Sequence, residues 1–125
     1  MLCIIVTPDQ HTDACTERDL SAHAGSFIAV WIAPIALAGL VTLIVSEPRW
    51  MIGATWAVAF AWMGGACLVN ARRCGRLHCY FSGPILLIGA VVSFVVSVGV
   101  VELGRLGLLA VVGAALGLAA LTYAL

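Results

Sequence analysis

The chain has 125 residues, 63% of them hydrophobic and 10% charged, with a mean hydropathy of +1.14 and zero net charge. A water-soluble domain is about 45–50% apolar and about 25% charged, and a small one leaves much of its surface wet, so the composition argues against a soluble fold and for lipid as the solvent. All six cations are arginine and six acids balance them, which leaves no basic surface for nucleic acid.

The first 26 residues differ from the rest. They carry Asp9, Asp13, Glu17 and Asp19 against Arg18 alone. Residues 1–6 are apolar but too short for the core of a signal peptide, and no charged flank precedes them. Thr7, Pro8 and Gln10 fit a capping box with proline at the first helical position, which predicts a short helix in this cytoplasmic segment. Anionic lipid repels acidic residues, so the expected partner is the protein's own arginine-bearing loop.

Four uncharged stretches follow, 27–45, 50–71, 84–101 and 106–125, of 19, 22, 18 and 20 residues. A helix crosses a hydrocarbon core of about 30 Å with roughly 20 residues, and lipid offers the backbone no partners, so spans are helices or closed barrels. None of the stretches alternates as barrel strands do. The expected fold is an all-α integral membrane protein, a bundle of four transmembrane helices behind a short acidic segment. Pro34 should kink the first helix. Pro48 and Pro84 should open the second and third, where a missing N–H costs nothing. Glu102 and Arg105 should pair across a tight turn. Gly113 and Gly117 form a small-xxx-small pattern that suits close packing within the chain or between copies in a homo-oligomer.

Arginine sets the orientation. Arg72, Arg73 and Arg76 in the loop 72–83, with Arg18, outnumber Arg49 and Arg105 on the opposite side. This balance predicts a membrane protein with both termini in the cytoplasm.

Chemistry concentrates between Met63 and Pro84. Met63, Cys67, Asn70 and Cys74 fall on one helix face by spacing, and Cys74, His78 and Cys79 cluster past its end, where Gly75 lets the chain turn. Thiolate, thioether and imidazole select soft ions such as mercury, copper or zinc, and neighbouring arginine favours thiolate. The candidate ligands are therefore Cys67, Cys74, His78 and Cys79, with Met63, His11 and Cys15 as further donors. Arg72, Arg73 and Arg76 anchor the loop and activate thiols, and Asn70 serves as a helix-to-helix contact. Cysteine and methionine are also ordinary packers of membrane helices, which is the plainer reading of Met63 and Cys67. The membrane stretches hold no Asp, Glu or His, so proton relays have nothing to run on. No phosphate loop, serine nucleophile or Cys-x-x-Cys pair is present, and the cysteine number is odd and scattered, unlike a disulfide scaffold.

The stretch GGACLVNARRCGRLHCYFSGP at 64–84 resembles a motif of small bacterial multi-pass membrane proteins to which no activity is attached; it covers about a sixth of the chain. A looser resemblance is to the small mercuric-ion transport proteins, which pass a thiophilic ion between cysteine pairs. This chain departs from them in having no cysteine in its first membrane stretch. The resemblance implies binding or transport of a soft metal ion. The alternatives are a non-enzymatic accessory or structural subunit and a membrane thiol–disulfide oxidoreductase using Cys74 and Cys79.

Overall fold

The structure, a computed structural model, describes residues 19–20, 22–45, 47–75 and 77–122. The described residues form an all-helical fold. Helix α1 spans Ala24–Ile44, α2 Arg49–Cys74 and α3 Leu77–Ser97, and each is long and apolar enough to cross a membrane. Helix α4, Arg105–Leu121, is apolar and shorter. The expected capping-box helix, with His11, Cys15 and Arg18, lies outside the described residues.

Helix bounds differ from the sequence expectation in an instructive way. Charge was the boundary marker, yet α2 runs through Arg72 and Arg73 to Cys74. Two arginines suit that place: they face the carbonyl end of the helix dipole, and their long stems let the charged heads reach water. The helix stops at Gly75, whose φ of 62° is left-handed and whose N–H returns to the Ala71 carbonyl at 2.8 Å, the ending that glycine permits. Helix α3 then begins at Leu77, so the predicted start at Pro84 is corrected: Pro84 sits inside α3. The loop 72–83 contracts accordingly to the few residues around Gly75.

Pro34 perturbs α1 as its chemistry requires. A proline ring collides with the carbonyl four residues back, here that of Val30. Residues Ile28–Ile32 form a π turn, with the Ala33 N–H bonded to Ile28 five residues earlier. The wider turn absorbs the proline without breaking the helix.

Helix α2 is the hub. It packs on α1 along one side and most extensively on α3 along another, while α4 rests mainly on α3. Where apolar helices such as these lie in lipid, water does not drive them together and close van der Waals contact must. Glycines mark where this happens. A Cβ on Gly64 would lie 3.0 Å from the Gly83 carbonyl oxygen, and one on Gly83 would lie 2.8 Å from a Leu68 methyl. The backbones of α2 and α3 therefore nearly touch at this crossing. At the other end of the hairpin, a Cβ on Gly53 would meet Ser97 at 2.9 Å. Helix α4 is seated where Gly89 admits Ala115. Between α1 and α2, the buried Trp56 indole N–H donates to Thr42 Oγ1 at 2.9 Å. The Arg105 guanidinium donates to the Thr42 carbonyl, tying the start of α4 to the end of α1. This replaces the expected Glu102–Arg105 pair; the ion pair among the described residues joins Arg49 and Glu47 at 3.3 Å.

The glycine crossing makes a clear prediction. Gly64→Leu and Gly83→Val should each lower stability by about 1–3 kcal/mol through overpacking, seen as earlier unfolding when a denaturing detergent is titrated into the folded protein. Gly65→Ala should be neutral, because nothing lies within 4 Å of the position its Cβ would take.

Candidate functional site

The α2–α3 crossing positions the chemistry. Cys67 lies one turn beyond Gly64 on α2, and Cys79 and Ser82 lie on the first turns of α3. Because the backbones meet at Gly64 and Gly83, these side chains are pressed face to face. Cys67 and Cys79 are both outside any disulfide, each 1% exposed, and their side chains are within hydrogen-bonding reach of one another. Cys67 Sγ also lies 3.4 Å from Ser82 Oγ. Ser82 commits its own proton to the His78 carbonyl at 2.8 Å, so its oxygen is left to accept from the Cys67 thiol. Met63, buried one turn deeper than Cys67 on α2, continues the soft-atom stripe into the core beside Phe60 and Leu86.

The remaining candidates are placed differently. Cys74 is half-buried and disulfide-bonded. The expectation of free thiols at both Cys74 and Cys79 is therefore corrected at Cys74. The expectation that Cys79 is exposed among arginines is corrected too, because the early start of α3 turns it inward against α2. His78 is half-buried, and Arg72 and Arg73 are exposed. No three His, Cys, Asp or Glu side chains among the described residues come together as a metal-holding group. The four expected ligands thus do not form one cluster; the structure brings together Cys67 and Cys79. Arg76, His11 and Cys15 lie outside the described residues.

Asn70 has a role the spacing did not reveal. Its amide Nδ2 donates to Asp19 Oδ1 at 2.8 Å, and its Oδ1 accepts from the Leu20 N–H at 3.4 Å. Instead of joining two membrane helices, it holds the segment that precedes α1 against the thiol end of α2. Asp19 is buried there. An acidic segment folding back on this end was expected; among the described residues Asp19 accepts from the uncharged Asn70 amide.

Comparison with family models, curated proteins and solved structures finds no match to this chain.

Two outcomes follow from this geometry. In folded protein in mild detergent, Cys67 and Cys79 should react with maleimide far more slowly than after denaturation, since both sulfurs are shielded; rapid labelling of either in the folded state would contradict the packing. Asn70→Leu should remove a charge-assisted hydrogen bond from a buried carboxylate, costing about 1–3 kcal/mol, and should expose the segment around Asp19 to limited proteolysis.

Proposed function

We propose that this chain is a small multi-pass protein of a bacterial inner membrane that binds or moves a thiophilic metal ion between the thiols of Cys67 and Cys79. The observation that carries this reading is the contact of two buried thiols contributed by different helices. Two sulfurs suit a soft d10 ion that accepts two ligands. Zinc sites normally take four, which makes zinc the weaker candidate. Charge narrows the choice further. Binding displaces the thiol protons, so two thiolates and a divalent ion form a neutral unit. A monovalent ion would leave one negative charge buried, at an effective cost of several kcal/mol. Mercuric ion therefore fits this pair better than cuprous ion does. Met63 offers a third soft atom one turn deeper. Reduction of its disulfide would make Cys74 a further thiol, two turns beyond Cys67 on the same face of α2.

The membrane arrangement in this reading has four crossings, with α4 as the last. The arginine balance places the thiol end and both termini in the cytoplasm. A second reading has one observation in its favour. Cys74 is oxidised while Cys67 and Cys79 are reduced, as a thiol–disulfide oxidoreductase would hold them, and a lasting disulfide suits an oxidising compartment better than the cytosol.

The test uses the full chain in detergent without added reductant, which leaves the disulfide at Cys74 intact. Wild type is expected to bind one equivalent of mercuric ion with release of two protons. Cys67→Ser and Cys79→Ser should each weaken binding at least tenfold, with folding checked by circular dichroism. Equal binding by wild type and the double variant would overturn the metal reading. Reversible loss of two hydrogens from the 67/79 pair, coupled to reduction at Cys74, would then support the oxidoreductase.

A further inference from the structure

The opposite end of the bundle carries a cleft that the thiol chemistry does not use. It has a volume of about 530 Å³ and lies where the start of α2, the end of α3, the 98–104 turn and the start of α4 meet. Its lower wall is apolar, formed by Ile52, Val96 and Leu108. Ser97, on its wall, packs closely against Gly53. Its upper edge holds two cations and two carboxylates, Arg49 with Glu47 and Arg105 with Glu102.

The placement of the two cations is unusual. Arg49 and Arg105 are each the first residue of a helix, neither helix start has a side-chain cap, and neither first turn holds an acid. A guanidinium there faces the positive end of a helix dipole, which is the unfavourable arrangement. Glu47, 3.3 Å from Arg49 Nε, relieves it in part at the start of α2, and an anion seated between the two arginines relieves it at both. The carboxylates at the same rim keep the pocket neutral, so the complementary ligand carries both signs. Depth identifies its source: the pocket sits at the end of membrane-crossing helices, where headgroups lie, and the exposed Trp50 on its wall is the residue type that anchors at that level.

We infer that this cleft binds the headgroup of an ethanolamine phospholipid. The phosphodiester is held by Arg49 and Arg105, the ammonium by Glu47 and Glu102, and the upper part of the acyl chains lies along Ile52, Val96 and Leu108. Arg105 spends one donor on the Thr42 carbonyl, and a guanidinium has five.

The experiment is native mass spectrometry of the full chain in mild detergent with an equimolar mixture of phosphatidylethanolamine, phosphatidylglycerol and phosphatidylcholine of identical acyl chains. Wild type should retain the ethanolamine lipid over the other two by about fivefold, the scale set by two exposed charge contacts. Glu102→Gln leaves the pocket net positive and should move the preference to phosphatidylglycerol. Arg49→Gln should abolish retention of the ethanolamine lipid. Both side chains are exposed, and an unchanged circular dichroism melt confirms that the variants fold. Equal retention of all three lipids by wild type, or an unchanged profile in both variants, would overturn the inference. Competition by soluble glycerophosphoethanolamine as strong as by the lipid would overturn the lipid assignment. The result is independent of Cys67 and Cys79.

Discussion

The backbone approach of α2 and α3 at Gly64 and Gly83 is the constraint on which the rest of the structure depends. Side-chain hydrogen bonds between membrane helices average only about 0.6 kcal/mol, so the Trp56–Thr42 bond and the few others between helices cannot hold the bundle. Packing must, and packing is densest where side chains are absent. The crossing fixes the distance between two helices over several turns and presses Phe60, Met63 and Leu86 into one core. It also decides that Cys67, Cys79 and Ser82 share a small volume. The thiol pair is a consequence of two missing methyl groups one turn away.

The helical, membrane-type character of the chain was plain in its sequence, because uncharged runs near 20 residues have few other uses. Helix ends were less legible, for two physical reasons. Arginine was read as a mark of loop, yet Arg72 and Arg73 belong to the last turn of α2, where the helix dipole favours them. Proline was read as a helix start, yet Pro84 sits in the interior of α3. Interior proline is tolerated in membrane helices because neighbouring groups satisfy the freed carbonyl, and sequence alone does not distinguish the two uses. Gly75 was read correctly, since a glycine between a cysteine and an arginine just past a periodic apolar run has the chemistry of a left-handed cap.

These boundary shifts account for what the sequence concealed about the site. With α3 starting at 84, Cys79 belongs to a loop and stands beside Cys74. With α3 starting at Leu77, Cys79 is on the helix's first turn and faces Cys67. A displacement of seven residues thus exchanges one cysteine pair for another. The partner of Asn70 was hidden for a different reason: Asp19 is 51 residues away along the chain, and no local spacing reports such a contact. The charged cleft of Arg49, Glu47, Arg105 and Glu102 lies at one end of the bundle and the Cys67–Cys79 contact toward the other, with Met63 extending the soft atoms into the core between them.

Trp56 gives that core an optical property of its own. Trp50 and Trp62 are largely exposed, while Trp56 is 4% exposed, hydrogen-bonded to Thr42 and tilted against Phe60 with ring centroids 5.5 Å apart. Its emission is set by fixed neighbours and not by lipid or water. It lies on the same helix as Cys67, about 16 Å along the axis by helical rise. A heavy atom arriving at the thiols, or a change in how α1 leans on α2, would register in the fluorescence of this one indole without any label being attached.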